Sequence, residues 1–481
     1  MRKTKIICTL GPATDDENVL RSLIKAGMNV ARLNFSHDTH EKQLTRINTV
    51  KKLRKELGVP VAILLDTKGP EIRIGEFENG KITLEQGQEF TLTTRQITGN
   101  ENIVSVTYSE LPYRLKEGEK ILIDDGLIEL MVIDINDCDI KCIVRNGGNL
   151  SNKKSINLPG INLDMPYMTD KDREDILFGI KNDVDFIAAS FVRNKNDIMD
   201  VLDILENNDG KDIKIIAKIE NNEGVENIDS ILELSDGIMI ARGDMGVEIS
   251  FEKLPNIQKK LIKKCYAAGK MAITATQMLD SMVHNPRPTR AEVSDVANAV
   301  YDGTSAIMLS GETAAGKYPV ESVIAMAEIA EATENNINYE HRFLKESVKN
   351  KTVTDAVCHA ACTTAIDLQA TAIVALTLSG HTARMLSKFR PKCPILAATT
   401  CEKNYHQLAL SWGVVPVMND IHKSTDALFA SAVKRITDTA IVRKGDRIVI
   451  TGGSDVDTFG ETDTMKVYTI ESREKSYEMS V

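Results

Sequence analysis

Short apolar runs alternate with longer segments of mixed polarity along most of the first 340 residues. Runs of this kind are typical of strands buried on both faces of a parallel sheet, and the segments between them have helical spacing. Eight such units in succession predict an α/β fold built on a closed (β/α)8 TIM barrel. The eight predicted strands are residues 5–10, 30–35, 61–66, 186–191, 213–219, 237–241, 271–276 and 305–309.

The alternation is interrupted once, between the third and fourth predicted strands. Residues 70–167 instead carry short period-two strands, such as 81–84, 120–123 and 140–144, separated by turns rich in Gly, Asn and Asp. We predict an inserted β-barrel domain on the third barrel loop. Because such loops leave from the carboxyl-terminal face, the insert would lie over the barrel mouth as a lid domain.

A second α/β unit follows the barrel. Beyond about residue 340 the alternation resumes with further apolar runs, which cannot join a barrel that is already closed. We therefore predict a doubly wound C-terminal α/β domain over residues 341–481, and we assign the barrel to residues 1–69 and 168–340. The predicted strands of the last domain are residues 372–377, 394–398, 414–417, 446–450 and 466–470.

Three predicted helix starts have the spacing of a capping box, in which a Thr hydroxyl and an acidic side chain three residues later satisfy free backbone amides. They are Thr14 with Glu17, Thr169 with Asp172, and Thr289 with Glu292. A helix is also expected to end before Gly58, because glycine favours the left-handed cap conformation and Pro60 follows it.

Composition argues against several functional classes. The 481 residues carry a net charge of -10 without a basic stripe, so we expect neither nucleic acid nor an anionic membrane as a partner. We find no apolar stretch of membrane-spanning length and expect no signal peptide. The eight cysteines have neither disulfide-type nor zinc-type spacing, which predicts reduced thiols in a cytoplasmic protein.

Charged side chains collect where predicted barrel strands end, which is where barrel enzymes carry their catalytic groups. The fifth strand runs into Lys218 and Glu220, and the sixth runs into Asp244. Two carboxylates beside an ammonium predict a divalent cation next to a fixed positive charge, as phosphoryl transfer or enolate chemistry requires. Structural ion pairs are the alternative, but burying three charges without a ligand is costly.

These strand ends belong to longer motifs that follow one another along the chain. The motifs are residues 29–37 (NVARLNFSH), 65–73 (LDTKGPEIR), 218–221 (KIEN), 241–244 (ARGD), 275–279 (ATQML) and 309–313 (LSGET). They resemble the pyruvate kinase family, of the bacterial type without an extra C-terminal phosphohistidine-like domain. The resemblance implies the last step of glycolysis, in which the phosphoryl group of phosphoenolpyruvate passes to ADP and gives pyruvate and ATP.

The resemblance implies a metal site and two catalytic cations. Glu220 and Asp244 would hold Mg²⁺ (or Mn²⁺), which suits two hard carboxylates and keeps positions for substrate and water. Lys218 would neutralise the phosphoryl group in flight. Arg32 would add a bidentate guanidinium fork that a lysine could not supply.

The resemblance also implies how the enol substrate is held and protonated. The backbone amides of Gly243 and Asp244 would bind the substrate carboxylate, together with Thr276 and with Arg32 nearby. The enolate must take up a proton at its methylene carbon. Thr276 acting through a water molecule is one candidate donor, and Lys218 is the other.

A potassium site is implied by oxygen-bearing residues at two neighbouring strand ends. Asn34, Ser36, Asp66 and Thr67 would form this cage, although ordinary turn hydrogen bonding is the alternative for such residues. In this family a glutamate at the position of Glu71 accompanies dependence on a monovalent cation, and a lysine accompanies independence. The sequence therefore predicts that the enzyme requires K⁺.

Nucleotide contacts are implied on both sides of the barrel mouth. Asn34 and His37 on the barrel, with Arg73 and Lys154 at the two ends of the insert, would bind ADP or ATP. An arginine or lysine in a loop is ordinarily a solvated side chain, so these contacts rest on the motifs. Closure of the lid would bring them to the mouth and exclude water.

An effector site and a homotetramer are further implications. A phosphorylated effector would lie where a C-terminal strand ends and a helix opens. The partner loop, residues 452–461, is acidic and lacks the expected basic residue, so a monophosphate or no effector stays open. Subunit contacts would involve the C-terminal domain and the helix after Thr289. The candidate effector residues are Thr377, Ser379, Gly380, His381 and Thr382.

Two other functions remain open from the sequence alone. A metal-dependent aldolase acting on a pyruvate enolate could use Glu220 and Asp244 in the same way, but it would need neither Lys218 nor a nucleotide-facing lid. A phosphometabolite-binding protein without activity should have lost catalytic residues. The candidate residues are all present: Arg32, Lys218, Glu220, Asp244 and Thr276.

Overall fold

The computed structural model describes residues 1–161, 163, 165–345, 352–421, 424–453 and 461–470. The chain begins with three parallel strands that are joined by helices on one side. The helix before the third strand ends as predicted, since Gly58 adopts a left-handed φ of 65° and caps it. These elements are β1 (Lys5–Thr9), α1 (Glu17–Ala26), β2 (Val30–Asn34), α2 (His40–Leu57) and β3 (Ala62–Asp66).

The predicted capping boxes form fully at one of three places, Thr289 with Glu292. At Thr169 only half of the box forms: the Thr169 hydroxyl caps α4 by accepting from the Asp172 amide, but the Asp172 carboxylate accepts from that hydroxyl and not from the Thr169 amide. The prediction at Thr14 is wrong, because Asp16 caps α1 instead. Thr14 lies in a short 3-10 turn, where its hydroxyl bonds back to the chain and leaves the helix to begin later.

The insertion after β3 is a β domain, as the period-two pattern predicted. A seven-stranded sheet and a two-stranded sheet enclose one apolar core that includes Phe90 and Leu150. Its strands are β4 (Ile72–Arg73), β5 (Lys81–Leu84), β6 (Glu89–Thr93), β7 (Ile103–Ser105), β8 (Lys120–Ile123), β9 (Ile128–Ile135), β10 (Asp139–Asn146), β11 (Gly148–Ser151) and β12 (Ser155–Asn157), with the short helix α3 (Leu111–Arg114).

The chain then returns to complete the closed eight-stranded barrel, which confirms the predicted fold class. The remaining barrel strands are β13 (Phe186–Ala189), β14 (Lys214–Ile219), β15 (Gly237–Ala241), β16 (Met271–Ala275) and β17 (Ala306–Leu309), and β17 pairs with β1. The helices of this part are α4 (Asp170–Lys181), α5 (Lys195–Asn207), α6 (Asn222–Glu226), α7 (Ile228–Leu234), α8 (Arg242–Glu248), α9 (Leu254–Ala267), α10 (Arg290–Asp302), α11 (Gly311–Ala314) and α12 (Pro319–Asn335).

The last part of the chain forms a five-stranded sheet in which four strands are parallel and the edge strand is antiparallel. Its strands are β18 (Ala372–Leu376), β19 (Ile395–Thr399), β20 (Val414–Met418), β21 (Arg447–Gly452) and β22 (Thr464–Thr469). Its helices are α13 (Tyr339–Lys345), α14 (Val353–Asp367), α15 (His381–Lys388), α16 (Glu402–Gln407) and α17 (Thr425–Asp438).

This C-terminal unit closes the end of the barrel that lies opposite the lid. Leu410 packs into the apolar cluster of the barrel interior, and Lys5 of β1 donates to the Val414 carbonyl at 2.6 Å. The predicted domain boundaries fall in the β3–β4 and β12–α4 connections and, for the last one, within α13. Among the described residues, no helix is long and apolar enough to cross a membrane.

Candidate active site

Lys218 lies at the centre of a buried polar cluster at the barrel mouth. Its Nζ is 3.0 Å from Asp66 Oδ1 and 3.0 Å from Glu220 Oε1, and it donates to Ser190 Oγ at 2.6 Å. The three acceptors follow or end β3, β13 and β14, which are consecutive neighbours in the barrel. Parallel pairing of those strands therefore brings residues that are distant in sequence to one point.

Arg32 joins the cluster from β2. Its Nε contacts Asp66 Oδ2 at 2.6 Å, and its Nη1 donates to Thr9 Oγ1 at 2.9 Å. Asp66 thus lies between two cations. Burial pushes the pKa of Asp66 upward, but the charges of Arg32 and Lys218 outweigh it and hold that pKa below its usual value.

The same carboxylates keep Lys218 charged. Burial alone would lower the pKa of Lys218, but Asp66 and Glu220 outweigh it and hold the pKa above its usual value. Lys218 is therefore a fixed cation at neutral pH. Its ammonium group is oriented by three acceptors on three different strand ends.

Glu220 and Asp244 form a pair of like charges beside Lys218. Burial, with Asp244 as a further cause, raises the pKa of Glu220 to about 7, although Lys218 acts in the opposite direction. One Glu220 oxygen contacts Lys218 and the other accepts from the Phe191 amide at 2.5 Å. Crowded hard oxygen donors of this kind fit a divalent cation that takes further ligands from substrate and water. Within the described residues, no group of three or more His, Cys, Asp or Glu surrounds a common point that could hold a metal.

Thr276 is presented to the mouth by a strained turn. Thr276 and Gln277 both have positive φ angles, 67° and 53°, which are rare for residues with a side chain. Arg242 holds this turn, because it donates to the Thr276 carbonyl at 2.6 Å and pairs with Asp295 at 2.7 Å. The Thr276 hydroxyl accepts from the Gly243 amide at 2.9 Å, so two of the predicted substrate-binding residues lie together.

Known proteins share this architecture and this sequence. The sequence profile of the pyruvate kinase barrel domain matches residues 1–323, and that of the pyruvate kinase alpha/beta domain matches residues 355–468. This chain belongs to the pyruvate kinase family. A pyruvate kinase of Clostridium acetobutylicum is 49% identical over 474 residues, which cover 98% of this chain and 100% of that one.

Further relatives agree. A pyruvate kinase of Sporosarcina psychrophila is 51% identical over 473 residues, covering 98% of this chain and 81% of that one. The crystal structure of a pyruvate kinase from Cryptosporidium parvum superimposes with a TM-score of 0.93 at 40% identity, over 97% of this chain and 96% of the other. Membership of the pyruvate kinase family therefore rests on both sequence and fold.

The four predicted potassium ligands lie at two paired strand ends. Asn34 and Asp66 are register partners of β2 and β3, and Ser36 and Thr67 follow them. One of these oxygens takes part in a turn, in line with the alternative interpretation, because Asn34 Oδ1 accepts from the Ser36 amide at 3.1 Å. Thr67 Oγ1 instead accepts from the Ser190 amide of the neighbouring strand end at 3.1 Å.

A cleft of about 390 Å³ separates the barrel mouth from the lid. Three predicted nucleotide contacts line it together with Asp244, namely His37, Arg73 and Lys154, whereas the described lining does not include Asn34. Two of the cations are paired within the lid region. Arg73 contacts Glu71 at 2.6 Å, and Lys154 contacts a lid carboxylate at 2.8 Å.

Ser190, which was given no role from sequence, belongs to the cluster around Lys218. Ser190 is fully buried, accepts from Lys218 and donates to the Thr67 carbonyl at 2.7 Å. Its position at the end of the fourth predicted strand was the available signal. A serine at a strand end is common, however, and nothing local distinguished this one.

The candidate effector residues lie where β18 gives way to α15. Gly380 has a φ of 79° and precedes the helix, so a residue without Cβ is favoured there. The Thr382 hydroxyl is 2.8 Å from the Thr462 hydroxyl on the far side of the loop. Residues 454–460 of the predicted partner loop lie outside the described residues. The region contains all five predicted positions: Thr377, Ser379, Gly380, His381 and Thr382.

Proposed function

We propose that the barrel mouth is where this pyruvate kinase transfers the phosphoryl group of phosphoenolpyruvate to ADP. The observation that carries the proposal is the position of Lys218, a buried cation oriented by Asp66, Glu220 and Ser190. A preorganised cation stabilises charge as it develops in the transition state, and it needs no reorganisation when the reaction occurs.

Lys218 and Arg32 together neutralise the negative charge of the transferred phosphoryl group. Phosphoryl transfer spreads negative charge over three oxygens, and the protein catalyses it mainly by positioning and electrostatics. Asp66 holds both cations and fixes their spacing. Lys218 offers a compact charge, whereas the Arg32 guanidinium offers a planar fork for two oxygens.

Glu220 and Asp244 would hold Mg²⁺ (or Mn²⁺), which supplies Lewis-acid charge to the substrate oxygens when bound. The support is that burial, with the like charge of Asp244 as a further cause, raises the pKa of Glu220 to about 7, so a bound cation would stabilise its charged form. A cation at this point would satisfy both side chains.

The substrate carboxylate would accept from the Gly243 amide and the Thr276 hydroxyl, which in the protein alone donate to Thr276 Oγ1 and to the Ala275 carbonyl. In the protein alone a Cβ at Gly243 would lie 3.6 Å from Thr276 Oγ1, an ordinary contact, so the need for glycine would come from the ligand. Because Lys218 is held protonated, we favour Thr276 with a bound water as the source of the enolate proton.

Potassium and nucleotide complete the proposed site. Asn34, Ser36, Asp66 and Thr67 would bind K⁺, and the pairing of β2 with β3 supports their grouping. Arg73 and Lys154, with His37 and Asn34 on the barrel, would bind ADP or ATP. The cleft shared by three of these residues and Asp244 supports this.

The proposal extends to subunit assembly and to regulation by a phosphorylated effector. We expect a homotetramer, and the exposed apolar side chains Val293 and Tyr301 on α10 support an interface there. We also expect a phosphorylated effector at the start of α15. All eight cysteines are free thiols, which suits a cytoplasmic location.

A lactate-dehydrogenase-coupled assay tests the function. Purified protein with phosphoenolpyruvate, Mg²⁺ and K⁺ should form pyruvate only when ADP is added, whereas an aldolase would not need ADP. The Lys218→Met variant should lose at least about 10²–10³ in kcat while phosphoenolpyruvate binding is largely kept.

The matched control is Lys214→Met. Lys214 lies at the opposite end of the same strand and pairs with Asp236 at 3.4 Å. It should keep its kcat. Near wild-type turnover of the Lys218 variant would refute the role given to that residue.

A further inference from the structure

The lid is joined to the barrel by two chain segments that meet beside one side chain. The outgoing segment passes through Lys68 and Gly69 after β3, and the returning segment ends at Thr169. Asp172, in the first turn of α4, lies between them and is 3% exposed.

Asp172 accepts hydrogen bonds from both segments. Its Oδ1 accepts from the Lys68 and Gly69 amides, each at 3.0 Å, and its Oδ2 accepts from the Thr169 hydroxyl at 2.6 Å. Bonds from neutral donors to a carboxylate are stronger than neutral pairs, more so when buried. One carboxylate therefore fixes the two segments relative to each other.

The same two segments also contact the end of β13 beside Lys218. Gly69 has a φ of 76°, and a Cβ there would be 2.8 Å from Ser190 Cβ, so the outgoing segment is tightly packed against this residue. On the returning side, the Tyr167 hydroxyl donates to the Ser190 carbonyl at 2.9 Å. Ser190 in turn accepts from Lys218.

We propose that Asp172 is a positioning residue that sets where the lid closes relative to Lys218. It holds the lid segments in register with the end of β13, so that Arg73 and Lys154 reach the nucleotide when the lid is closed. The part about the nucleotide rests on the function proposed above. The part about the segments rests on the hydrogen bonds alone.

Kinetics of Asp172 variants test the proposal. Asp172→Ala should raise the KM for ADP at least about tenfold, because buried amides lose a charged acceptor, while the KM for phosphoenolpyruvate stays within about twofold. Asp172→Asn should restore most of the loss. Its amide oxygen can accept from Lys68 and Gly69, and its NH₂ group can donate to the Thr169 hydroxyl.

The matched control is Asp175→Ala. Asp175 is 1% exposed on the same helix, and among the described residues it pairs with Lys171 and His40 but with neither lid segment. It should lose stability without changing the ratio of the two KM values. Equal kinetic effects of the Asp172 and Asp175 variants would overturn the proposal.

Amide hydrogen exchange, followed by mass spectrometry of the peptide 66–72, gives a readout that does not depend on catalysis. Exchange should quicken in Asp172→Ala and stay near wild type in the Asn and Asp175 variants. If Asp172→Ala does not fold, Thr169→Val is the alternative. It removes the hydrogen bond from the Thr169 hydroxyl to Asp172 and should raise the KM for ADP about threefold. Unchanged exchange or an unchanged KM for ADP in Asp172→Ala refutes the inference about Asp172. Whether the wild-type protein turns over phosphoenolpyruvate and ADP tests the proposed reaction separately.

Discussion

Replacing Ser190 by alanine removes one of the three acceptors that orient Lys218. The Ser190 hydroxyl accepts from Lys218 at 2.6 Å, donates to the Thr67 carbonyl at 2.7 Å and lies 3.3 Å from Asp66 Oδ1. Alanine leaves a buried ammonium donor and a carbonyl without this partner. The cost for a charged group is about 1.5–3 kcal/mol.

The effect should fall mainly on catalysis. Two carboxylates still hold Lys218, so its charge stays, but its position is less fixed. If about 1.5–3 kcal/mol of transition-state stabilisation is lost, kcat falls about 10- to 160-fold. The KM for phosphoenolpyruvate should change less than about threefold, because the proposed carboxylate contacts are on β15 and β16 loops.

The coupled pyruvate assay measures both constants. Ser235→Ala is the matched control. Ser235 is also buried, and its hydroxyl donates to a helix carbonyl at a distance of 2.9 Å, in a part of the barrel remote from the mouth. This variant should lose stability but keep its kcat. A kcat of the Ser190 variant within twofold of wild type, or an equal loss of activity in both variants, would refute the role given to the Ser190 hydroxyl.

Three further outcomes are expected. Replacing K⁺ by tetramethylammonium in saturating Mg²⁺ should abolish most turnover, and full activity would exclude the predicted cation cage. Thr289→Ala should lower the free energy of unfolding by about 1 kcal/mol in urea, with kcat unchanged, because it removes the capping box of α10. Burial lowers the pKa of Lys5 to about 7. Above that pH the unfolded chain binds more protons than the folded chain, so the free energy of unfolding should rise with pH from about 7 towards 10. Lys5→Met should flatten this rise in urea titrations, and an unaltered slope would count against a titrating Lys5.

The barrel and its central charges could be predicted from sequence because the signals are local. Lys218 and Glu220 directly follow or end a buried apolar run, and Asp244 follows the next one, so topology alone places them at one edge. The wrong helix start at Thr14 was also local. Asp16 lies close by with an equally good capping side chain, and the spacing rule could not choose between them.

Other parts of the site depend on long-range contacts that no local pattern encodes. Asp172 meets Lys68 and Gly69 across more than a hundred residues, and by spacing it was predicted only as a helix cap partner. Ser190 was visible as a strand end. Its contact with Lys218 depends on the pairing of β13 and β14, which only the closed barrel defines.

Ser190 contacts Lys218 and the returning lid segment through different atoms. The hydroxyl serves Lys218, whereas the carbonyl accepts from Tyr167 of the returning lid segment. Ser190→Ala therefore removes the contact with Lys218 and leaves the contact with Tyr167. Asp172→Ala removes the hydrogen bonds to the lid segments and leaves the contact between Ser190 and Lys218. If the lid position reaches Lys218 through β13, the two substitutions should be non-additive in kcat/KM for ADP, by about 0.5–3 kcal/mol. If they are additive, the lid sets nucleotide binding alone, and the orientation of Lys218 is a property of the barrel.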